Sequence, residues 1–191
     1  SGSSYIFGYI FGTTGSGTAT NQSYGSYYIP TSITNVTSTK QTTIPAYAFY
    51  NCNFIASITI PEEVTSIGSY AFYNCATLTS IIFSDSVTSV GTSAFYGCTA
   101  LKNVTLANNV TYLGVEAFKN CSKLGAININ AELEYIGKNA FAGCTSLESF
   151  KLPEDAQLVS WSENDEYQVR KETQAKNIRL PRSKERLNTW I

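Results

Sequence analysis

The apolar residues between positions 55 and 152 recur in a pattern that repeats every 23 positions. In each repeat, an apolar residue is followed three positions later by a second and two positions after that by a third. The five triads are Ile55-Ile58-Ile60, Leu78-Ile81-Phe83, Leu101-Val104-Leu106, Leu124-Ile127-Ile129 and Leu147-Phe150-Leu152. Successive side chains of a strand point to opposite faces, so this alternation predicts one short strand per repeat with its apolar residues facing inward.

A second motif, Ala-Phe-x-x-Cys, lies at a fixed distance before each triad. Its cysteines are Cys52, Cys75, Cys98, Cys121 and Cys144. A fixed period of about 20 to 50 residues is the signature of a solenoid, whose units bury their apolar faces only against their neighbours. We therefore predict a mostly β repeat solenoid, with one short parallel strand per 23-residue repeat and short extended or 3₁₀ turns on the other face.

The remaining positions of the repeat predict how the chain turns. A second apolar pair, for example Val64 and Ile67, is followed by a glycine that ends an extended stretch. The residue before each cysteine is Asn or Gly, namely Asn51, Asn74, Gly97, Asn120 and Gly143. These two residue types enter the left-handed backbone region most readily, so their exchange at one position predicts a positive φ and a tight reversal.

Three segments are expected along the chain. Residues 1–36 contain two β-prone runs, 5–12 and 27–29, joined by a Gly/Ser/Thr-rich connection at 13–26, and they predict an N-terminal β cap. Residues 37–158 form the solenoid, which a degenerate repeat introduces from Ile33. Residues 159–191 lack the motif, and their many charged side chains predict a C-terminal cap and charged tail, with Trp161 closing the open end of the core.

The amino-acid composition argues against several classes of function on chemical grounds, namely nucleic-acid binding, catalysis by histidine and membrane spanning. The 191 residues carry a net charge of −1 with 14% charged side chains, so no overall field attracts nucleic acid. The chain has no histidine, the commonest general base and metal ligand. No apolar run reaches the ~18 residues that span a bilayer as a helix. The chain also has no methionine, and we expect it to be a processed form or a piece of a longer protein.

The even spacing of the five cysteines is compatible with more than one role. Zinc sites use close pairs such as Cys-x-x-Cys, which the sequence does not contain. Disulfides between neighbouring repeats are compatible with the ~4.8 Å between stacked strands. The odd number and the placement of one cysteine per turn favour a ladder of buried thiols that act as small apolar side chains. No cofactor and no metal are predicted.

Catalysis has one candidate chemistry. Glu62 with Glu63, or Glu132 with Glu134, would supply the acid pair of a carboxylate-dependent hydrolase. Carboxylates in the connecting segments of a solenoid are usually solvated, so the sequence favours a protein that is not an enzyme.

Two surfaces are candidates for binding. The outward positions of the predicted sheet are Ser57, Thr59, Ser80, Ile82, Asn103, Thr105, Asn128 and Lys151, with a further outward column expected at Pro61, Ser84, Ala107, Asn130 and Pro153. The second surface is a row of turn-side tyrosines, Tyr47, Tyr50, Tyr70, Tyr73 and Tyr96. Tyrosine gives broad contacts at low entropic cost, whereas the sheet face is small and mostly uncharged. Tyrosine also suits an exposed turn that has no binding role.

The full pattern is Cys-x-x-Leu-x-x-Ile-x-Ile-x-x-x-Val-x-x-Ile-Gly-x-x-Ala-Phe-x-x-Cys, over residues 33–158. It resembles the BspA-like, Treponema-type leucine-rich repeat family. The resemblance implies a right-handed solenoid with a parallel sheet on one face, in surface proteins of bacteria and some protozoan parasites. Some members of that family bind host extracellular-matrix and plasma proteins.

We therefore expect a non-enzymatic, extracellular or surface-displayed module that binds a protein or glycan, for example as an adhesin that contacts a host. The alternative interpretation is a structural spacer within a larger surface protein, and a hydrolase is the third. We expect no nucleic-acid partner and no membrane-spanning segment in this chain. The chain is expected to be a monomer or to self-associate weakly.

Overall fold

The computed structural model describes residues 18–22, 25–29, 35–36, 42–128, 132–147, 149–151, 157–160 and 167–170, with side chains from 42 to 128 and from 132 to 147. Its strands, in chain order, are β1 (Thr18–Gln22), β2 (Gly25–Ile29), β3 (Asn35–Val36), β4 (Thr43–Ile44), β5 (Ser57–Thr59), β6 (Ser66–Ile67), β7 (Ser80–Ile82), β8 (Ser89–Val90), β9 (Asn103–Thr105), β10 (Tyr112–Leu113), β11 (Ala126–Asn128), β12 (Tyr135–Ile136), β13 (Ser149–Lys151), β14 (Gln157–Ser160) and β15 (Tyr167–Arg170). In this part of the chain we find no helix, and hence none that would cross a membrane.

The first sheet is parallel and contains the predicted strand of each repeat. Its order is β13-β11-β9-β7-β5-β3. From β5 onward each residue pairs with the one 23 positions further along, as Ser57 pairs with Ser80 and Ser80 with Asn103. Asn35 of β3 pairs with Ser57, 22 positions further along. The middle residue of strands β5, β7, β9 and β11, such as Ile58, is buried between two outward neighbours. The predicted strands and their inward faces are confirmed.

A second sheet is formed by the segment in front of the glycine, with the order β14-β15-β12-β10-β8-β6-β4. Its five solenoid strands, β4, β6, β8, β10 and β12, are two residues long and pair in parallel. The second residue of each is buried: Ile44, Ile67, Val90, Leu113 and Ile136. The sequence predicted only an extended stretch here, so the structure adds a second strand to each repeat.

Two hairpins flank the solenoid strands in chain order. Strands β1 and β2 pair antiparallel, and residues 27–29 belong to β2, as their β-prone character predicted. Strand β1 lies inside the stretch 13–26, which we interpreted as a connection, so that interpretation is wrong for Thr18–Gln22. Thr18 and Thr20 are β-branched and therefore suit a strand. Strand β15 pairs antiparallel with both β14 and β12. Residues 5–12, Ile33 and Trp161 lie outside the described part.

The core consists of columns of identical or similar side chains. The rings of Phe49, Phe72, Phe95, Phe118 and Phe141 are at most 1% exposed and stack with centroids 5.0 to 5.7 Å apart. The alanine and cysteine of each motif are buried beside them. The predicted inward placement of Ala, Phe and Cys is confirmed.

Gly91 marks a point where two successive repeats approach each other closely. A Cβ atom built on it would lie 2.6 Å from the backbone nitrogen of Ser69, and one on Gly68 would lie 2.5 Å from that of Ala46. Real Cβ atoms do not come so near a backbone atom, so the column requires glycine for space. The sequence predicted only that this glycine ends an extended stretch, and the structure shows in addition that a side chain does not fit there.

Candidate binding surface

The turn that ends at each cysteine contains two left-handed residues. The residue directly before the cysteine has a φ of 60° at Asn51, 55° at Asn74 and 71° at Gly97, which confirms the predicted reversal. The residue five positions before the cysteine is also left-handed, which the sequence analysis did not predict. These residues, with φ between 52° and 60°, are Tyr47, Tyr70, Ser93, Glu116 and Asn139.

Backbone hydrogen bonds keep the turns of neighbouring repeats in register. The Phe49 amide donates to the Ala71 carbonyl and the Asn51 amide to the Tyr73 carbonyl, each over 2.7 Å and each into the next repeat. The intervening Tyr50 amide donates within its own turn, to the Tyr47 carbonyl at 3.2 Å. Equivalent side chains therefore project from the same point of every repeat.

Five tyrosines meet on the outside of these turns, and we call them the tyrosine ridge: Tyr47, Tyr50, Tyr70, Tyr73 and Tyr96. All five are half-buried. In one row, Tyr50, Tyr73 and Tyr96 stack with centroids 4.9 and 4.7 Å apart and planes within 9° of parallel. In the other row, Tyr47 stacks on Tyr70 at 4.9 Å, and the two rows touch at 5.7 Å. The structure brings the whole predicted set together, and its role in binding stays a prediction.

A charged pair continues the ridge beyond Tyr96. Lys119 Nζ lies 2.7 Å from Glu116 Oε1 and 5.8 Å from the centre of the Tyr96 ring, within reach of a cation–π attraction. Asn120 Nδ2 donates to the Tyr96 hydroxyl at 3.1 Å. The hydrogen bond to Glu116 raises the pKa of Lys119. Partial desolvation, and then the neighbouring phenols, raise the pKa of Tyr73 above its ordinary value.

Tyr47 and Tyr70 hold an unfavourable backbone conformation, with φ of 60° and 58°. For a residue with a large side chain, the left-handed region costs ~1–2 kcal/mol relative to the right-handed one. Asn139 occupies the same position of a later repeat, and asparagine adopts the left-handed conformation more readily than tyrosine does. The turn itself therefore does not require tyrosine, and the two tyrosines are held there at a cost in backbone conformational energy.

The outward face of the first sheet is polar along most of its length. Its exposed positions are Thr59, Ser80, Ile82, Asn103, Thr105 and Asn128. Ser57 is half-buried, and Lys151 lies in β13. Ile82 is the apolar exception at 62% exposure. A single exposed aliphatic side chain is common on protein surfaces and does not by itself indicate a partner.

The further column expected to face outward is buried where it follows β7 and β9. Ser84 is 8% and Ala107 7% exposed, so that prediction is wrong for these two residues, while Pro61 is half-buried. The Ser84 hydroxyl donates to the Pro61 carbonyl one repeat earlier, at 2.9 Å, which draws the segment inward. Ala107 lines a depression of about 330 Å³ together with Phe83 and Ile82. Asn130 and Pro153 lie outside the described part.

The five cysteines form the predicted ladder of buried thiols. All are free and 0% exposed. Cys75, Cys98, Cys121 and Cys144 each donate to a phenylalanine carbonyl oxygen of the preceding repeat, over 3.0 to 3.2 Å. Burial raises the pKa of Cys52 to about 12. These thiols are structural hydrogen-bond donors, and the structure has no disulfide between them.

The two candidate acid pairs lie apart and in solvent. Glu62 and Glu63 are exposed, as are Glu132 and Glu134 three repeats later. A general acid and base acquire different roles from different environments, and all four of these side chains are exposed to solvent. Across the described ranges, no cluster of three His, Cys, Asp or Glu is arranged to hold a metal ion.

Tyr112 and Tyr135 form a second aromatic pair, which the sequence analysis missed. They stack at 4.7 Å with planes 5° apart, and Tyr112 is 39% exposed. Both belong to strands of the second sheet, β10 and β12. Their separation of 23 residues was a usable signal, since it places them at the same position of successive repeats.

Parallel strands that stack every 23 residues around an Ala-Phe-x-x-Cys turn define a leucine-rich-repeat β-solenoid. The model of the BspA type leucine rich repeat region matches residues 42–165 with six copies of the repeat. The chain belongs to that family, as the resemblance implied.

Solved structures of bacterial proteins share this fold. A leucine rich cell surface protein from Faecalibacterium prausnitzii is 30% identical, with a TM-score of 0.60 over 68% of this chain and 36% of that one. A leucine-rich repeat protein from Eubacterium ventriosum is 28% identical, with a TM-score of 0.50 over 55% and 28%. A leucine-rich repeat protein from T. pallidum shares the fold at 23% identity and a TM-score of 0.50, over 63% and 69%. No curated protein matches the sequence.

The chain corresponds to only part of its relatives. It spans 36% of the Faecalibacterium prausnitzii protein and 28% of the Eubacterium ventriosum protein. The repeat module is thus common to these proteins, which are longer.

Proposed function

We propose that this chain is a non-enzymatic, surface-displayed binding module that contacts an extracellular protein or glycan through the tyrosine ridge. The observation that carries the proposal is the stack of five tyrosines on one ridge, two of them in a strained left-handed backbone. Strained residues that the surrounding structure holds in place cluster at binding and switch sites.

The geometry of the ridge favours binding in two ways. Stacking fixes the rings before a partner arrives, so little side-chain entropy is lost on contact. Half-buried tyrosines also present an apolar body and a polar hydroxyl, and tyrosine is enriched among the residues that dominate binding energy. Display at a cell surface accords with the similarity to a leucine rich cell surface protein, and adhesion is a use that fits such display.

A structural spacer is the second candidate, and the sheet face favours it. That face carries small, mostly uncharged side chains over stacked, regularly paired strands. A spacer needs length and stiffness without a concentrated binding surface. In that case the tyrosines would serve the packing of the turn alone.

The test uses immobilised plasma and extracellular-matrix glycoproteins as probes, each intact and enzymatically deglycosylated. We expect the wild type to bind at least one probe, and Tyr73→Ala with Tyr96→Ala to weaken that binding by about tenfold or more. Tyr112→Ala, which removes a stacked tyrosine elsewhere, should bind like the wild type. Loss of binding on deglycosylation would identify a glycan ligand.

Two results would contradict the proposal. A wild type that binds none of the probes would favour the spacer. Equal binding by the wild type and the ridge variant would remove the ridge from the interaction.

A further inference from the structure

We propose that the partner of the tyrosine ridge is a second copy of this chain, bound with its solenoid axis reversed. The inference rests on the binding role proposed for the ridge and names the occupant. It follows from which parts of the rings are accessible and from the order of residues along the ridge.

In the row of Tyr50, Tyr73 and Tyr96, the ring faces between neighbours are already occupied. Tyr73 lies between Tyr50 at 4.9 Å and Tyr96 at 4.7 Å, so both of its faces are covered. Lys119 lies over the Tyr96 ring on the other side. A sugar binds an aromatic side chain by stacking on an open face, whereas this row offers ring edges and hydroxyls. Edges carry partial positive charge and hydroxyls donate, which suits the oxygen atoms and rings of protein side chains.

The ridge and its charged end form four rungs, one in each of four successive repeats. Along the chain they are Tyr47 with Tyr50, Tyr70 with Tyr73, Ser93 with Tyr96, and Glu116 with Lys119. A two-fold axis that lies in the interface, perpendicular to the solenoid axis, reverses this order. The first rung of one copy then faces the fourth rung of the other, and the second faces the third.

The outer rungs are complementary in hydrogen bonding when they are paired in this way. Tyr50 faces Lys119 of the second copy, so an ammonium donor meets a phenol oxygen that can accept. Tyr47 faces Glu116 of the second copy, so a phenol hydroxyl meets a carboxylate acceptor. The axis generates each of these contacts twice, as an isologous interface requires.

The inner rungs are complementary in size. Tyr73 faces Tyr96 of the second copy, and their hydroxyls can donate and accept in turn. Tyr70 faces Ser93 of the second copy, a small residue only 3% exposed, so a large ring lies opposite a low point of the ridge.

A second copy also matches the spacing of the ridge. The stacked rings repeat every 4.7 to 4.9 Å, and another solenoid of the same kind has the same repeat. Side chains on one face of an extended peptide repeat about every 6.6 Å and lose register with the rungs after one step. Eight residues per copy make a small interface, so we expect weak association that depends on concentration.

The experiment measures mass by sedimentation equilibrium from about 10 μM to 1 mM, a range that brackets weak association. The wild type should move from its monomer mass of 20.8 kDa toward twice that value. Tyr50→Lys places like charges opposite each other at both ends and should weaken association about tenfold or more. Lys119→Glu supplies the matching charge, so a mixture of the two variants should associate more tightly than Tyr50→Lys alone.

Tyr112→Ala serves as the control on the second sheet and should associate like the wild type. Circular dichroism is used to check that the half-buried substitution Tyr50→Lys leaves the fold intact. A wild type that stays at the monomer mass overturns the inference, as does a mixture that associates no better than Tyr50→Lys alone. A monomer that binds a glycoprotein probe through Tyr73 overturns the dimer and leaves the proposed function standing. A dimer that binds no probe supports the second copy as the occupant of the ridge and rules out the glycoprotein probes as its ligands.

Discussion

The thiol of Cys75 donates a hydrogen bond to the carbonyl oxygen of Phe49, one repeat earlier, with 3.0 Å between Sγ and the oxygen. The same oxygen accepts the amide of Cys52 at 3.1 Å. Both contacts lie inside the core, where no water competes for the acceptor. The cysteine column therefore links successive turns as well as filling space, and this link can be tested at Cys98.

Replacing Cys98 with alanine should lower the stability of the fold. The substitution removes the hydrogen bond to the Phe72 carbonyl, 3.2 Å away, and leaves a small cavity at a fully buried site. We expect a loss of about 1–2 kcal/mol in the free energy of unfolding, measured by urea denaturation. Lys102→Ala, at an exposed site, should change it by less than about 0.5 kcal/mol. Equal losses in both variants would show that the thiol adds nothing specific.

Stability should fall as pH rises through the range above 9. Burial raises the pKa of Cys52 from 9.0 to about 12, so above pH 9.0 the unfolded chain releases a thiol proton that the folded chain retains. The folded state then binds more protons, and rising pH favours unfolding up to about pH 12. Denaturation under reducing conditions at several pH values measures this slope. Cys52→Ala should show a shallower decline, and parallel declines would contradict the assignment.

Gly91→Ala should destabilise the solenoid strongly, because the new Cβ would lie 2.6 Å from the Ser69 backbone nitrogen. We expect a loss of at least about 2 kcal/mol, since backbone in the neighbouring repeat must move. Gly125→Ala is the matched control, because its Cβ would come no nearer than 3.8 Å to the Ser146 carbonyl oxygen. That variant should lie within about 0.5 kcal/mol of the wild type. Comparable melting temperatures for the two variants would disprove the close approach.

Gly97→Val should cost more than Gly97→Asn. The backbone at Gly97 has a φ of 71°, which a β-branched residue adopts at a cost of about 2 kcal/mol or more. Asn51 and Asn74 hold the same position in other repeats with φ of 60° and 55°, so asparagine should cost less than half as much. Thermal unfolding of the two variants gives the comparison. If valine were tolerated as well as asparagine, the left-handed assignment would be wrong.

The period of 23 residues made most of the solenoid predictable. It placed the apolar triads on an inward face, and the exchange of Asn and Gly gave the left-handed residue before each cysteine. The left-handed position at Tyr47, Tyr70, Ser93, Glu116 and Asn139 had no such signal, because these side chains share no preference for a positive φ. The second sheet was equally hidden, since strands of two residues show no alternation.

The candidate surface was predictable as a set of residues and not as an arrangement. Equal spacing brings Tyr50, Tyr73 and Tyr96 to one row, but the ring planes depend on how the turns stack. The inward position of Ser84 depends on its hydrogen bond to the Pro61 carbonyl, which no spacing rule contains. The contact of Lys119 with Glu116 and Tyr96 likewise follows from the tertiary arrangement of the turn.

Tyr70→Asn should separate the binding role of the ridge from its role in folding. Asparagine relieves the left-handed strain of about 1–2 kcal/mol. It also removes the stacking of Tyr70 on Tyr47 at 4.9 Å and its tilted contact with Tyr73 at 5.7 Å, which each contribute about 0.5–1.5 kcal/mol. These effects nearly cancel, so the melting temperature should stay within a few degrees of the wild type, about the shift that 1 kcal/mol produces.

The same variant should lose binding, because it removes one of the five rings of the ridge. Phe72→Ala provides the opposite case, since this buried ring stabilises the fold by about 3–5 kcal/mol and forms no part of the ridge. Thermal melts together with sedimentation and probe binding test both variants. A Tyr70→Asn protein that is as stable and binds as well as the wild type would show that the strained tyrosine has no function. A large loss of stability in that variant would show instead that the ring stack is there for the fold.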